Sequence, residues 1–563
     1  MPKTTEIIID ILVDAGIDHV FGMPGGATLF LYDALFDRQD KIRTILARHE
    51  GGAACMADMY GRLTGKPGVV IGQGAWMGSN AAVAVMEAYL AGSPMLVLGD
   101  VSDYGGLIQH GPFQCAGGEY GSIDLPNIMR SMTKYTTVAN SPAEYAHGVQ
   151  LAIKHAVTGR PGPACVLARW DVAISETELD SINPKLFSIQ GHINVSPACI
   201  SAADAGKAAD LLLGASDPVM ITGRGVHASR AYTEVQELAE LLGMPVATSY
   251  MGKSGIAETH DLAIGTMGNI GQRTANEKIN SADVILAVGT CLSPENTRML
   301  SPDYIDAERQ KIIQIDIEPL NAGWNYPVAL GIASDAKLAL RAVIDAVKKR
   351  GVKLDVKARI ERLKKLKAEN DFFSSDSYHS DEEPISPERI VNDLNEAVGA
   401  DDLLVLDGGN NRMWCAKHFK SKKAGQVIAP GGAAGVGWSV PASLGAQIIS
   451  GNRRVVCVCG DGGMMMMLYC LEMAKQYEAP ITYVVMNNAS LGNVKDFQSP
   501  ERRIATEYDE ADFAAIGRAI GCKGLKIAHP NELLPALKAA IQSERPAVID
   551  VTTSKEAHFK LMM

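Results

Sequence analysis

The sequence predicts an α/β protein made of three doubly wound, parallel-sheet domains. Short apolar runs that end in glycine or acidic turns recur along the chain, and segments of helical length separate them. This alternation of strand and helix is typical of βαβ units, whose strands run parallel. A length of 563 residues requires several domains, because a single hydrophobic core stops growing at about 250–300 residues. We therefore predict domains over residues 1–180, 195–350 and 385–555.

The first domain is predicted from its alternating helices and strands. An amphipathic helix over residues 5–16 precedes a strand that ends in a glycine turn at 22–26. A strand over 42–46 follows, and Glu50 then stands just before a small-residue helix over 54–62. A carboxylate at a helix N-terminus is stabilised by the helix dipole, so Glu50 alone indicates no function. Residues from about 173 to 200 lack periodicity and are predicted to form a linker.

The second domain begins near Ser201, and a strand with a glycine turn follows at 218–226. The strand over 313–317 carries Asp316, and an acidic residue in such a strand is common in adenosine-binding sheets. An αβ core without a ligand is the alternative. The charged segment 348–385 is predicted to be a solvated helix followed by a linker.

The third domain carries the most informative stretch of the chain. An apolar strand over 455–459 leads into Gly460-Asp461-Gly462-Gly463, and a helix-like segment over 464–477 follows. A second strand over 481–486 then stops at Asn487-Asn488. The unit is a βαβ crossover with a polar group at the carboxyl end of each strand, which is where ligands bind in open parallel sheets.

These residue types suit a phosphate and a hard cation. Glycines allow close backbone approach to a phosphate, and the N-terminus of the following helix offers free N–H groups. Asp461 adds a carboxylate and Asn488 a neutral oxygen, and magnesium prefers such ligands together with phosphate oxygens. An ordinary sheet with a tight turn is the alternative, which a lone Gly-Asp-Gly would favour.

Composition and charge narrow the class of protein further. The chain is 47% hydrophobic and 21% charged, with a net charge of −11. Scattered basic residues and this charge disfavour a nucleic-acid partner. The ten cysteines show no paired Cys-x-x-Cys spacing, so neither a zinc site nor a disulfide framework is predicted. We see no signal peptide and no membrane-spanning run, and we expect no membrane partner and a cytoplasmic location.

The spacing of 24 residues between Gly462 and Asn487 resembles the diphosphate and magnesium motif of thiamine diphosphate enzymes. The resemblance extends over nearly the whole chain and is strongest to the acetolactate synthase large subunit branch. It implies a pyrimidine-binding, a central and a diphosphate-binding domain, in that order. In relatives the central domain holds FAD or ADP.

The resemblance also implies roles for single residues. Glu50 matches the glutamate that hydrogen-bonds the aminopyrimidine ring and relays a proton when the cofactor becomes a ylid. Gln114 matches a glutamine that lines the reaction site. His110 has no counterpart in that branch; a loop histidine is usually structural, and contact with the substrate is the alternative. Val436 matches the bulky residue that holds the cofactor in a bent conformation.

The implied metal ligands are Asp461, Asn488 and the backbone carbonyl of Ser490. The resemblance also implies a set of cofactor-binding residues from the first and third domains. They are Gly25, Glu50, Asn80, Gly409, Asn410, Val436, Gly460, Asp461, Gly462, Gly463, Asn488, Ser490, Leu491 and Gly492.

Three departures from the family pattern bear on the substrate. Trp76 stands where relatives have a proline, and a similar segment occurs in cyclohexane-1,2-dione hydrolase, although Trp76 could equally be a packing residue. Cys291 replaces an arginine that relatives use on the second keto acid, and aspartates next to it are missing, which weakens strict acetolactate synthesis and flavin binding. Tyr469-Cys470 replaces a Gln-Glu pair.

The resemblance therefore implies a thiamine diphosphate- and Mg²⁺-dependent transferase or lyase. The expected activity is that of an acetolactate synthase-like carboligase or decarboxylase, which acts on a 2-keto acid through a ylid and an enamine. The alternatives are a C–C bond lyase or hydrolase of a diketone or acyloin, and a non-catalytic scaffold. An intact Glu50 and intact metal ligands argue against the scaffold. The expected substrates are small keto acids, aldehydes or diketones.

The resemblance also implies a homodimer or homotetramer. In relatives the residue that matches Glu50 faces the diphosphate domain of another subunit. We expect the two cofactor domains of one chain not to meet each other, so that a single chain could not complete the site.

Overall fold

The computed structural model describes residues 2–103, 113–118, 121–559 and 561. Its named strands form three six-stranded sheets, and neighbouring strands pair in parallel throughout. The predicted fold class is confirmed.

The first sheet has the strand order β2-β1-β3-β4-β6-β5. Its strands are β1 His19–Gly22, β2 Arg43–Leu46, β3 Gly68–Ile71, β4 Met95–Asp100, β5 Tyr135–Ala139 and β6 Pro163–Ala168. The helices of this part are α1 Thr4–Asp14, α2 Leu29–Phe36, α3 Glu50–Thr64, α4 Gly74–Ser79, α5 Ala82–Ala91, α6 Leu125–Met132, α7 Pro142–Val157, α8 Trp170–Ile174 and α9 Gln190–Ile193.

The second sheet has the order β12-β11-β10-β7-β8-β9. Its strands are β7 Pro218–Thr222, β8 Val246–Thr248, β9 Ala263–Thr266, β10 Val284–Val288, β11 Lys311–Asp316 and β12 Leu330–Ala333. The accompanying helices are α10 Ala202–Leu213, α11 Arg224–Ser229, α12 Tyr232–Leu242, α13 Arg273–Ser281, α14 Ala336–Arg350 and α15 Val356–Glu369.

The third sheet has the order β14-β13-β15-β16-β18-β17. Its strands are β13 Leu403–Leu406, β14 Val427–Ile428, β15 Val455–Gly460, β16 Thr482–Asn487, β17 Lys523–Ile527 and β18 Ala547–Thr552. The helices are α16 Pro387–Ala397, α17 Asn410–His418, α18 Ser439–Ser450, α19 Asp461–Met466, α20 Tyr469–Gln476, α21 Gly492–Phe497, α22 Phe513–Ile520 and α23 Pro530–Ile541.

The apolar residues of β15 and β16 are buried, as expected for central strands of a parallel sheet that helices cover on both faces. Cys457 and Cys459 are fully buried among them. Both cysteines therefore belong to the core.

The single helix predicted over 464–477 is wrong in detail, because the chain forms α19 and α20 with a break at Met467 and Leu468. The chain divides into two compact units, and this break lies close to the point where the chain passes from the second unit to the first. The first unit comprises Met1–Ser196, Pro430–Asn452 and Met465–Ala479; the second comprises Pro197–Ala429, Arg453–Met464 and Pro480–Met563. The two helical segments thus pack against different cores.

Helices α18 and α20 belong to the first unit together with α3. Gly445 in α18 lies against α3, since a Cβ added there would be 3.0 Å from Met56 Cα. The expectation that the two cofactor domains of one chain do not meet is therefore wrong. Among the described residues, we find no helix with the length and apolar character needed to cross a membrane.

Candidate active site

Asp461 and Asn488 follow neighbouring strands of the third sheet at the same edge. Gly460 at the end of β15 pairs in register with Met486 near the end of β16. Asp461 is the first residue of α19, and Asn488 directly follows β16. The predicted metal-binding side chains therefore start from adjacent positions at the carboxyl end of the sheet, where ligands of open αβ sheets bind.

The Asp461 carboxylate is only half satisfied by the protein. Its Oδ1 accepts hydrogen bonds from the Gly462 amide and the Tyr508 phenol, both at 2.8 Å. Its Oδ2 is buried and has no hydrogen-bond partner among the described residues. Burial raises the pKa of Asp461, although the Tyr508 phenol and the backbone amides of Gly462, Ala489 and Ser490 act in the opposite direction. A buried carboxylate oxygen without a partner is unfavourable unless a cation faces it.

Two more side-chain oxygens share this lack of a partner, one near the start of α21 and one at the start of α17. Ser490 Oγ and Asn410 Oδ1 are buried and lack a partner in the part of the chain that the structure describes. Asn488 Oδ1 accepts from the Ser490 amide at 3.2 Å. A Cβ added to Gly492 would lie 3.0 Å from the Nδ2 atoms of both Asn410 and Asn488, so the side-chain amides surround this glycine.

These residues fit a magnesium ion and a diphosphate. The unpaired groups are carboxylate, amide and hydroxyl oxygens, which are the hard ligands that magnesium prefers. No group of three or more His, Cys, Asp or Glu among the described residues is placed to hold a metal, so one carboxylate would act with neutral oxygens and phosphate. A Cβ on Gly460 would meet only Asn411, at 3.9 Å, which leaves open space beside the strand end.

The raised pKa of Asp461 leads to a prediction for the cofactor-free protein. A raised folded-state pKa means that the native protein favours the neutral form, so the ionised carboxylate destabilises it at neutral pH. Asp461→Asn should raise the melting temperature at pH 7 by about 1–3 °C. The difference should shrink as the pH falls and Asp461 itself becomes protonated.

Differential scanning fluorimetry between pH 4 and 8 measures this effect. Glu87→Gln is the control of opposite sign, because Arg62 and backbone amides lower the pKa of Glu87 despite its burial, so that its ionised form stabilises the native protein at pH 7. That variant should lower the melting temperature. A lower melting temperature for Asp461→Asn at pH 7 would contradict the prediction.

In the first unit, Glu50 occupies the first turn of α3 and is 8% exposed. Its Oε2 accepts a hydrogen bond of 2.9 Å from Asn80 Nδ2. The Nδ1 of His49 accepts from the Gly51 amide and caps the helix. The structure thus brings together Glu50 and Asn80, both of which the resemblance implies as cofactor-binding residues.

Gln114 lies in a hydrogen-bonded chain of three side chains. Gln73 Nε2 donates to Gln114 Oε1 at 3.0 Å, and Trp76 Nε1 donates to Gln73 Oε1 at 3.0 Å. Gly25 is next to this chain, since a Cβ there would be 2.8 Å from Gln73 Cδ. Trp76 thus hydrogen-bonds the glutamine that in turn binds Gln114. Gln73 is a candidate site residue that the sequence interpretation missed, although its place after β3 was a signal.

Tyr469 lies against the first turn of α3. A Cβ on Gly52 would be 2.4 Å from the Tyr469 hydroxyl, so only glycine leaves room for this phenol. Burial raises the pKa of Tyr469. This residue, which replaces part of the family's Gln-Glu pair, is thus part of the environment of Glu50.

The other predicted residues fall into the two units separately. His110 lies outside the described residues. Val436 lies in the first unit, in the loop before α18. The remainder lie in the second unit at strand ends and helix starts: Gly409, Asn410, Gly460, Gly462, Gly463, Ser490, Leu491 and Gly492.

Three family models match the chain in the order of its sheets. The N-terminal TPP binding domain of thiamine pyrophosphate enzymes matches residues 2–116, and their central domain matches residues 205–343. Their C-terminal TPP binding domain matches residues 407–551.

Similar curated proteins cover almost the full chain. The probable acetolactate synthase large subunit of Methanocaldococcus jannaschii is 32% identical, over 98% of this chain and 91% of that protein. The acetolactate synthase large subunit of Lactococcus lactis is 30% identical, over 98% and 93%. The acetolactate synthase isozyme 3 large subunit of Escherichia coli is 29% identical, over 99% and 96%. With its three matching domains and these relatives, the chain belongs to the thiamine pyrophosphate-dependent enzyme family, in the branch of the acetolactate synthase large subunits.

Proposed function

We propose that the protein is a thiamine diphosphate- and Mg²⁺-dependent carboligase or decarboxylase that acts on a 2-keto acid, as its relatives' name implies. The observation that carries the proposal is the buried, unpaired Asp461 Oδ2 at the end of β15, next to the end of the strand that leads to Asn488. A site of this kind suits a cation, and the family supplies a cofactor whose diphosphate would share it.

Asp461, Asn488 and the backbone carbonyl of Ser490 would hold the magnesium ion. The backbone amides in the glycine turn at 460–463 would face the diphosphate oxygens. When bound, thiamine diphosphate supplies a carbanion equivalent that stabilises charge next to a carbonyl carbon. Asp461 has to be ionised to hold the metal. Because its pKa is raised, cofactor affinity should begin to fall at a higher pH, as the pH is lowered, than it would with an ordinary aspartate.

Glu50 would handle a proton at the pyrimidine side. Its carboxylate is buried, fixed by Asn80 and placed in the first turn of α3. A carboxylate in this position can hold a negative charge beside a ring nitrogen and favour its protonated form. The hydrogen bond from Asn80 restricts the carboxylate to one orientation, which proton transfer requires.

The chain Trp76–Gln73–Gln114 would face the substrate. It offers amide groups that can bind a carbonyl or carboxylate oxygen. Trp76 stands at a position where relatives have proline, and the resemblance of its segment to one in cyclohexane-1,2-dione hydrolase supports a second candidate function. That function is cleavage of the C–C bond of a diketone or acyloin.

Two measurements test these proposals. Mass spectrometry of the small molecules released from denatured protein should detect thiamine diphosphate, and it also decides whether the central domain holds FAD, ADP or neither. Incubation with pyruvate should produce acetolactate or decarboxylated products. Cleavage of a cyclic 1,2-diketone without turnover of pyruvate would favour the second function. Protein that neither retains nor binds thiamine diphosphate would contradict both.

We further predict a dimer or a dimer of dimers, although not for the reason expected from sequence. Three apolar side chains of α5 are exposed at helical spacing: Val83 at 50%, Met86 at 38% and Leu90 at 52%. They form one apolar stripe, which a second subunit would bury. Light scattering should find at least twice the mass of one chain.

Val83→Glu with Leu90→Glu should shift the protein toward monomers and remove activity, because a charge in an apolar interface is not solvated. Val195→Glu is the control, since Val195 is 54% exposed outside α5. An active monomer in the wild type would contradict the prediction.

A further inference from the structure

The Glu87 carboxylate accepts hydrogen bonds from four successive backbone amides. Glu87 lies on α5, and its side chain is fully buried. Its Oε1 accepts from Gly431 at 3.0 Å and from Gly432 at 3.2 Å. Its Oε2 accepts from Ala433 at 2.7 Å and from Ala434 at 2.9 Å. All of these residues belong to the first compact unit.

Arg62 balances this buried charge. Its Nη2 lies 2.8 Å from Glu87 Oε1 and 2.8 Å from Asp58 Oδ2. Burial alone would raise the pKa of Glu87, but Arg62 and the loop amides lower it. Glu87 is therefore an ionised acceptor, and hydrogen bonds to an ionised carboxylate are stronger than those to a neutral group.

The same cluster holds the far end of the loop. Trp438 Nε1 donates to Asp58 Oδ2 at 3.0 Å, and the Arg62 guanidinium lies 4.5 Å from the centre of the Trp438 ring. Residues 430–438 are thus attached at 431–434 through Glu87 and at 438 through Asp58 and Arg62. Between these attachments lies Val436, which is 39% exposed.

The loop has no regular structure that would hold it in this shape. Residues 430–438 form neither helix nor strand. Ala434 has a φ of 53°, in the left-handed region that a residue with a Cβ rarely adopts. Successive amides that converge on one anion form a concave binding site, and here a carboxylate from the chain itself fills it. Without that anion, four amides would lose their acceptor.

We propose that Glu87 is a positioning residue for the cofactor site. It fixes the 431–434 loop before any ligand arrives, so that Val436 is already in the place from which it supports the bound cofactor. The role of Val436 in this inference rests on the proposed function. The attachment of the loop by Glu87 does not. A buried ion pair is weak evidence for a contribution to stability. The hydrogen bonds from four amides to one carboxylate indicate instead that Glu87 holds the loop.

Hydrogen exchange in the wild-type protein without cofactor tests the attachment directly. Amides 431–434 should exchange about 10–100-fold more slowly than those of an unstructured loop, the factor expected from one or more bonds to a charged acceptor. Free exchange at all four positions would overturn the proposal, whatever the protein does catalytically.

Two variants separate positioning from general stability. Glu87→Gln keeps the size of the side chain but replaces one carboxylate oxygen with an NH₂ group. That group would face the N–H donors of the loop and cannot accept hydrogen bonds from them. Exchange at 431–434 should rise about tenfold or more, and the dissociation constant for thiamine diphosphate with Mg²⁺ should rise by a similar factor. Glu258→Gln is the matched control, because Glu258 is also a buried carboxylate that pairs with a cation, Lys253, and accepts from a backbone amide, that of Ser421, in the second compact unit. It should lower the melting temperature without these two changes.

Equal effects of both variants on exchange and cofactor affinity would show a merely structural role and overturn the proposal. If Glu87→Gln does not fold, Glu87→Asp serves instead. It keeps the charge but is shorter by one methylene, and it should free some of the four amides. Normal loop protection in a wild-type protein that binds no thiamine diphosphate would refute the proposed function and leave the attachment standing.

Discussion

Replacing Asp461 with alanine should abolish the retention of magnesium and thiamine diphosphate. The wild-type carboxylate leaves Oδ2 buried without a protein partner in the described chain, and alanine removes that oxygen. The diphosphate would then lack the cation that connects it to the protein. Loss of groups that only orient metal ligands already lowers affinity by about 10–100-fold, so loss of the ligand itself should exceed about 100-fold.

Isothermal titration calorimetry with thiamine diphosphate and Mg²⁺ measures the change. Asp509→Ala is the matched control, because Asp509 is an exposed carboxylate next to Tyr508. It should bind like the wild type. Unchanged affinity in Asp461→Ala would remove Asp461 from the site and with it the main support for the proposed function.

The βαβ unit of the third domain was predictable because its signals are local. Buried apolar runs define β15 and β16, and glycine and asparagine mark their ends within one or two residues. The break between α19 and α20 was not predictable in this way. A periodic pattern shows that a segment has an apolar face, but not that two parts of it pack against different cores.

Contacts between residues far apart in the chain also limit how much of the site can be predicted from the sequence. Asn80 and Glu50 could each be placed by motif, but their hydrogen bond depends on how α3 and the end of α4 pack. Glu87 carried no sequence signal, since its amide partners are 344 to 347 residues away. A single glutamate in an apolar helix usually indicates an exposed position, and the fold reverses this expectation.

The contact between α3 and α18 was not predicted, because the prediction relied on how subunits assemble in relatives. The expectation that the two cofactor domains of one chain stay apart came from where the active sites lie in those relatives. It gave no information about the other contacts that these domains make within one chain. Helix α3 presents Glu50 at its N-terminus and packs on α18 near Met56, so one helix can serve both contacts.

Glu50→Gln should lower turnover by about 10²–10⁴-fold, the range expected for the loss of general acid–base assistance. Glutamine keeps the size of the side chain, and its Oε1 can still accept the hydrogen bond from Asn80 Nδ2. It cannot hold a negative charge or transfer a proton. Because the proposed metal ligands belong to the second compact unit and Glu50 to the first, the substitution leaves those ligands in place, and cofactor affinity should change little.

Deuterium exchange at the reactive carbon of the bound cofactor measures the proton step apart from the later chemistry, and a parallel titration measures affinity. Glu144→Gln is the control, because Glu144 also lies in the first turn of a helix, α7, and is exposed. It should leave both quantities unchanged. If Glu50→Gln exchanges as fast as the wild type, Glu50 takes no part in activation. If exchange slows while affinity is kept, the Glu50 carboxylate acts in the activation of the cofactor and not in its binding.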